Sequence, residues 1–186
     1  MALKATIFKA DLQISDMDRN YFNDHALTIA RHPSENDERM MVRVLAFALY
    51  ADEALAFGKG LSADDEPDLW QKDLTGAIEL WIDVGLPDEK RIRKACGRAA
   101  EAVVISYGGR GAELWWAQVG PQLERFRNLS VINLPHAASK AVAALVTLSQ
   151  RSMQLHCLIQ EEHLWLTCGE ERVEVVPMKL KSAEAK

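Results

Sequence analysis

The chain has 186 residues, of which 48% are hydrophobic and 26% charged, a balance that excludes a wholly disordered protein. Its 27 acidic and 22 basic side chains give a net charge of -5, which argues against a surface that coats nucleic acid broadly but allows a local basic patch. Three cysteines without zinc-ligand spacing are typical of a reducing compartment, and no apolar run approaches the roughly 18 residues of a membrane span. We therefore expect a cytoplasmic, monomeric chain with one domain over residues 1–186 and no contact with a membrane.

Near the start of the chain, alternating apolar and polar side chains predict a strand over residues 3–14 and a returning strand over 25–31, with a polar turn between them. Ser34 is a good N-cap for the helix that follows, whose apolar period continues to about Phe57. The helix dipole favours the acidic residues of its first turn, Glu35, Asp37 and Glu38.

The centre of the chain predicts two strands, 68–72 and 77–84, joined by a tight turn at 73–76. A helix begins near Pro87, and the apolar pattern then predicts strand 102–107, helix 112–126, strand 129–134 and helix 136–150. The tail predicts a three-stranded meander at 153–159, 164–168 and 172–176, followed by a frayed end at 182–186.

The central elements therefore follow the order helix, short strand, strand, strand, helix, strand. Strands interleaved with helices in this way indicate an α/β sheet. The strands predicted at the two ends of the chain would add antiparallel strands to this core.

The strand at 77–84 carries a candidate site. Its alternation places Glu79, Trp81 and Asp83 on one face. If the turn at 73–76 pairs position 79 with 70 and position 81 with 68, then Asp68 and Lys72 share that face. A three-residue turn would place the first strand's side chains on the opposite face and scatter the set.

Clustered carboxylates of this kind suit Mg²⁺ or Mn²⁺, which would orient a water and offset charge on a scissile phosphate while a lysine assists. Glu38 strengthens this hypothesis because it lies on the same helical stripe as Met41 and Leu45. The alternative is that the strand acids are merely solvated and that Glu38 only complements the helix dipole.

The helix after Pro87 carries a row of cations, Lys90, Arg91, Arg93, Lys94 and Arg98. This row could hold a polyanion near the acids. It could equally be a soluble face whose charges pair with nearby acids such as Asp88, Glu89 and Glu101. The cysteines have no acid–base neighbour in the sequence and are expected to be core thiols.

Several segments of the chain resemble those of the bacterial YaeQ family, over nearly the whole length. The segments that carry the resemblance are 1–10, 31–41, 60–67, 80–95 and 128–131. The family has no established biochemical activity. Its fold is described as a compact variation on the PD-(D/E)XK restriction-endonuclease-like core, so the resemblance implies such a core here.

The resemblance to the nuclease motif itself is partial. Pro67-Asp68 stands where the motif has its Pro-Asp pair, Glu79 stands at the second acid, and Glu38 at the acid of the first helix. Where the motif has a lysine, this chain has Trp81, and an indole cannot supply a positive charge. The resemblance implies that Lys72 or Lys94 could replace that lysine from a migrated position. Asp83 is an extra acid that could substitute for Asp68 as a ligand.

Two functions follow. The first is a metal-dependent phosphodiesterase or nuclease acting on nucleic acid, with Asp68, Glu79 and Asp83 as metal ligands and Glu38 orienting water. The second is a non-catalytic binding or regulatory protein that keeps the nuclease-like fold without its chemistry. The acid cluster favours the first function, whereas the missing motif lysine and the negative net charge favour the second.

Overall fold

Strands and helices alternate along the chain as expected of an α/β protein. The computed structural model describes residues 4–148 and 151–185. The described residues form two compact units: one comprises residues up to Ala48 together with Pro135–Pro177, and the other comprises Leu49–Leu134 together with the residues from Met178 on. The prediction of one domain over residues 1–186 stays a prediction.

The first half of the chain contains β1 (Thr6–Asp16), β2 (Tyr21–Arg31), α1 (Asp37–Leu49), β3 (Leu55–Phe57), β4 (Leu69–Lys72), β5 (Ile78–Val84) and α2 (Glu89–Arg98). The second half contains β6 (Ala99–Ser106), α3 (Arg110–Leu123), β7 (Leu129–Asn133), α4 (His136–Ala144), β8 (Ser152–Gln160), β9 (His163–Cys168), β10 (Glu171–Val175) and β11 (Met178–Lys181). The order α1-β3-β4-β5-α2-β6 matches the predicted central order of helices and strands.

The first unit contains a mixed sheet whose described strands follow the order β10-β9-β8-β1-β2. β1 runs parallel to β8, whereas the other neighbours are antiparallel. The strands from the two ends of the chain are antiparallel within each group, as expected, and the parallel pair of β1 with β8 joins the two groups into a sheet of their own. Strict alternation along β1 sets this register, since a slip of one residue would expose buried side chains such as Leu12 and Ile14.

The second unit contains a mixed sheet whose described strands follow the order β11-β7-β6-β5-β4-β3. β5, β6 and β7 are parallel, and β5 is buried continuously from Leu80 to Val84, as expected of a central strand covered on both faces. A core cluster forms between this sheet and the apolar sides of α2 and α3. Its largest members include Trp81, Ile92 and Leu123.

Some predicted boundaries are wrong for identifiable reasons. α1 ends at Leu49 rather than near Phe57, because the Asp52 side chain accepts a hydrogen bond from the Ala54 N–H at 2.8 Å and fixes a turn. α1 also begins later than predicted. Asn36 accepts from the Arg39 N–H at 2.9 Å and so acts as the N-cap, whereas the Ser34 hydroxyl bonds to a histidine ring.

The first hairpin is also longer than the pattern suggests. The Asp16 carboxylate accepts hydrogen bonds from the N–H groups of Asp18 and Arg19, and Asn20 has a φ of 54°, so the chain reverses within a few residues. β11 is a further strand that the sequence did not indicate. The start of the predicted first strand at residue 3 and the predicted helix end at 149–150 lie outside the described residues, as does residue 186 of the tail.

Within residues 4–148 and 151–185, no helix is both long enough and apolar enough to cross a membrane.

Candidate functional site

The predicted site residues lie on both units. Glu38 is in the first unit, whereas the acids of β4 and β5 and the two candidate lysines are in the second. Glu38 is buried near the start of α1, and its carboxylate accepts hydrogen bonds from the Ser139 hydroxyl at 2.8 Å and from Lys140 Nζ at 2.9 Å. Both donors belong to α4. These contacts identify Glu38 as a link between two helices of its own unit.

The hairpin of β4 and β5 has a different register from the predicted one. Trp81 lies opposite Trp70 rather than opposite position 68, and a bulge between Gln71 and Lys72 interrupts the ladder. A shift of two residues preserves which side chains share a face but changes which of them meet. The two indoles pack edge to face at 6.4 Å, and Lys72 Nζ lies 3.6 Å from the centre of the Trp70 ring.

Asp68 is buried immediately before β4. One of its carboxylate oxygens accepts a hydrogen bond from the Val84 N–H at 2.8 Å. Its backbone carbonyl accepts from Gly58 at 2.9 Å, and its other carboxylate oxygen faces Gly60 so closely that a Cβ there would lie 2.6 Å away. Asp68 therefore ties the loop before β4 to the central strand.

Asp83 is 2% exposed and accepts three hydrogen bonds. Arg91 donates two of them, from Nη2 at 2.7 Å and from Nε at 2.9 Å, so the guanidinium forms a bidentate pair with both carboxylate oxygens. The Trp81 indole N–H donates the third at 3.0 Å. Sequence reasoning missed this ion pair, although Arg91 follows Asp83 across the short turn that begins α2.

The pKa of Asp83 is raised, and burial is the main cause because it disfavours the charged carboxylate. Arg91 and the Trp81 N–H act in the opposite direction, and the nearby charge of Asp68 adds to the rise. Asp83 and Asp68 are therefore electrostatic neighbours, as the shared face predicts.

Glu79 is exposed at the start of β5. Its carboxylate accepts a hydrogen bond from the Gln71 side chain at 3.2 Å. Among the described residues, no three His, Cys, Asp or Glu side chains are arranged to hold a metal ion. Asp68 and Asp83 lie near each other, but Glu79 does not join them in a ligand group.

Three of the five cations in the basic row of α2 contact the loop at 62–66, namely Arg91, Lys94 and Arg98. Lys94 pairs with the Asp65 carboxylate, and it lowers the pKa of Asp65 by a hydrogen bond and by its charge. Arg98 donates to the Asp65 carbonyl at 3.1 Å and lies over the Trp81 ring. The cations thus face neighbouring acids and carbonyls, chiefly those of residues 64–66 rather than Glu101.

The donor set does not fit a divalent metal. Arg91 and Trp81 occupy the Asp83 oxygens, a backbone N–H occupies one oxygen of Asp68, and Glu79 is separate and exposed. Trp81 is fully buried, while Lys72 lies over the Trp70 ring and Lys94 pairs with Asp65. Neither lysine has a hydrogen bond to Asp83 among its described contacts.

Comparison with known proteins places the chain in a family. The family model described as YaeQ protein matches residues 1–177. The chain belongs to the YaeQ family. It is 48% identical over 175 residues to the uncharacterized protein YaeQ of Escherichia coli, covering 94% of this chain and 95% of that protein.

Solved structures of YaeQ proteins share the fold. The crystal structure of the YaeQ protein from Xanthomonas axonopodis pv. citri matches with a TM-score of 0.91 and 52% identity, covering 96% of this chain and 99% of that one. The structure of the YaeQ protein from Pseudomonas syringae matches with a TM-score of 0.89 and 34% identity, covering 96% and 97%. The resemblance in the sequence is therefore confirmed at the level of the YaeQ family.

Proposed function

We propose that this YaeQ-family chain is a non-catalytic binding protein built on a scaffold of the PD-(D/E)XK nuclease type. One observation carries the proposal: the bidentate ion pair of Arg91 with Asp83. An arginine that donates to both oxygens of this buried acid takes the place of the cation that catalysis would need there. Breaking such a pair leaves a buried charge without compensation, so the pair is costly to open.

The scaffold assignment is supported by element order and by residue position. The order α1-β3-β4-β5-α2-β6 matches the nuclease core that the resemblance implies. Pro67-Asp68 directly precedes β4, and Glu79 lies on β5, as the motif requires. Fold alone does not determine function, so the argument against catalysis depends on the contacts of the acids.

The test is a metal titration combined with a cleavage assay. Mn²⁺ and Mg²⁺ at millimolar concentration are added while tryptophan fluorescence is followed, because Trp81 touches Asp83. The same samples are incubated with single-stranded, double-stranded and branched DNA and with RNA. We expect no saturable change in fluorescence and no cleavage. Saturable quenching by Mn²⁺ together with cleavage, both lost in Asp83→Asn, would refute the proposal.

A metal-dependent phosphodiesterase is the second candidate, and one observation favours it. Asp68 and Asp83 are close enough for one charge to raise the pKa of the other, as paired acids at a metal site do. In that case Mg²⁺ or Mn²⁺ would have to displace Arg91 from Asp83. Cleavage that disappears in Asp68→Asn and survives in Glu101→Gln would support this candidate, because Glu101 is neither a predicted metal ligand nor a predicted catalytic residue.

We further propose a cytoplasmic location and a nucleic-acid ligand. Cys96, Cys157 and Cys168 are free thiols within the described residues, which agrees with a reducing compartment. The basic row of α2 supports an anionic ligand. Sedimentation of the purified chain tests the expected monomer, and the same sample serves for the binding measurements.

A further inference from the structure

An acidic loop lies along the basic face of α2. The loop comprises residues 62–66 and contains Asp64, Asp65 and Glu66. Arg91 Nη2 donates to the Glu66 carbonyl at 3.0 Å, and Lys94 Nζ donates to the Asp64 carbonyl at 3.2 Å. Arg98 and Lys94 also bind Asp65, through its carbonyl and its carboxylate. Three cations on successive turns of one helix thus bind oxygens of one short loop.

These oxygens stand where the oxygens of a phosphate backbone could bind. Arginine and lysine donate to phosphate as they do to carboxylates and carbonyls, and charge-assisted bonds of this kind are the stronger ones. Asp65 is 83% exposed at its side chain, so its pairing with Lys94 is open to competition from solvent ions. The loop therefore imitates an anionic ligand on this helix face.

Beside the acidic loop, part of the same helix face is open. A cleft of about 640 Å³ is lined by two acids and by four cations of α2, Lys90, Arg91, Arg93 and Lys94. Lys90 and Arg93 are exposed, and the one described pairing of Arg93 is a long contact with Glu89 at 3.9 Å. Gly97, one turn further along, has no heavy atom within 4 Å of where a Cβ would stand. The surface of the helix at Gly97 is therefore also open to solvent.

The base of the loop is held more firmly than its tip. The Gly58 N–H donates to the Asp68 carbonyl at 2.9 Å and the Gly60 N–H to the Pro67 carbonyl at 3.2 Å, and a Cβ would lie 2.2 Å from Pro67 at Gly58 and 2.6 Å from Asp68 at Gly60. The tip is held by the exposed cations of α2 and by short turns within the loop itself. Displacement of the tip would break its contacts with α2 without breaking the backbone hydrogen bonds of the base.

We propose that the exposed face of α2 binds the phosphate backbone of a nucleic acid and that the acidic loop covers part of this face, so that displacing the loop raises the affinity. This inference rests on the proposed binding function and adds the ligand surface and its regulation. Neutralising the loop strengthens binding because it removes repulsion and the ion pair that holds Lys94 on the Asp65 carboxylate. Neutralising Lys90 and Arg93, the two exposed cations that line the cleft, weakens binding.

The experiment measures binding of a fluorescently labelled oligonucleotide, as DNA and as RNA, by anisotropy at several salt concentrations. The loop variant is Asp64→Asn with Asp65→Asn. The matched control is Glu170→Gln with Glu171→Gln, two exposed acids in the other unit that give the same change in net charge. A third variant, Lys90→Gln with Arg93→Gln, removes the open cations. Thermal melting checks that each variant is folded.

We expect the loop variant to bind about fivefold tighter at low salt, and the control to change by less than about twofold. The variant without the open cations should bind more weakly and lower the slope of log affinity against log salt by roughly two. Equal gains in loop variant and control would overturn the inference, since net charge would then explain them. So would competition by inorganic pyrophosphate at the same phosphate concentration, which would indicate a small-anion site.

Absence of binding in every folded variant would also overturn it, yet would leave the proposed lack of catalysis unaffected. Gel electrophoresis of the same mixtures distinguishes a failure of the proposed binding surface from a failure of the proposed non-catalytic function. Cleaved oligonucleotide would refute the non-catalytic function, whereas intact and unbound oligonucleotide would refute the nucleic-acid ligand and the assignment of α2.

Discussion

At the scale of single residues, the ion pair of Arg91 with Asp83 makes the sharpest prediction. Arg91→Ala would leave a carboxylate that is 2% exposed without its cation, and we expect a loss of about 3 kcal/mol in the free energy of unfolding near neutral pH. Denaturant unfolding measures this loss. Arg93→Ala is the matched control, because Arg93 is 57% exposed and its pairing is long; its loss should stay within about 0.5 kcal/mol.

The pH dependence of this loss identifies its cause. Without Arg91, the pKa of buried Asp83 in the folded state rises further above its value of 3.8 in the unfolded chain. A raised carboxyl pKa makes the folded state bind more protons than the unfolded state, so stability falls as pH rises. The deficit of Arg91→Ala should therefore be smaller at about pH 5 than at about pH 8. A deficit independent of pH would assign the loss to the carbonyl contacts of Arg91 instead.

The residues of this pair also show what the sequence could and could not predict. Alternation along β5 placed Trp81 and Asp83 on one face, because a strand fixes side-chain direction with a period of two. It could not predict that Arg91 would reach back to Asp83. That contact depends on the direction that the turn after Val84 gives to α2. The pairing of β4 with β5, where a bulge shifts the register, could not be predicted either.

At the scale of elements, the loop between β3 and β4 is fixed by Gly60. Its φ is +49°, and a Cβ there would lie 2.6 Å from Asp68 Oδ1. Asp68 cannot move away without losing its bond to the Val84 N–H. We expect Gly60→Ala to cost about 2 kcal/mol, from the backbone conformation and the displaced carboxylate together.

Gly97→Ala serves as the control for this substitution. Gly97 lies within α2 and has open space around it, so alanine should stabilise the chain by about 0.5 kcal/mol through helix propensity. Both variants are compared by thermal and denaturant unfolding. Equal effects of the two substitutions would show that the conformation of the loop before β4 does not depend on Gly60.

Element order was predictable because apolar periodicity records which side of each strand and helix is buried. Element ends were less predictable where one polar side chain decided them. Asp52 stops α1 by accepting a backbone N–H, and Asp16 closes the first hairpin in the same way. β11 escaped prediction because its side chains are exposed or half-buried and show little alternation.

At the scale of the whole molecule, the path of the chain predicts how the two units unfold. The stretch Pro135–Pro177 belongs to the first unit and lies in the chain between β7 and β11 of the second unit, where Met178 pairs with Asn133. The pairing of β11 with β7 holds the two ends of this stretch close together, which reduces its conformational freedom. Unfolding the second unit would release the two ends and restore that freedom. We therefore expect the two units to unfold in one cooperative transition, as the predicted single domain requires.

A half-buried thiol, Cys96, and a buried thiol, Cys157, report on the two units separately. Burial raises the pKa of Cys96 in α2 to about 11 and that of Cys157 in β8 to about 12, so little reactive thiolate exists in the folded state. Pulsed alkylation at increasing urea, with each cysteine quantified by peptide mass spectrometry, should give the same midpoint for both. Because the reagent reacts with thiolates exposed by unfolding, labelling of Cys157 at clearly lower urea than Cys96 would show that the units unfold independently and would refute the single domain. The Cys96→Ser chain, in which only Cys157 and Cys168 of the first unit remain to be labelled, controls for any effect of alkylation at Cys96 on the first unit.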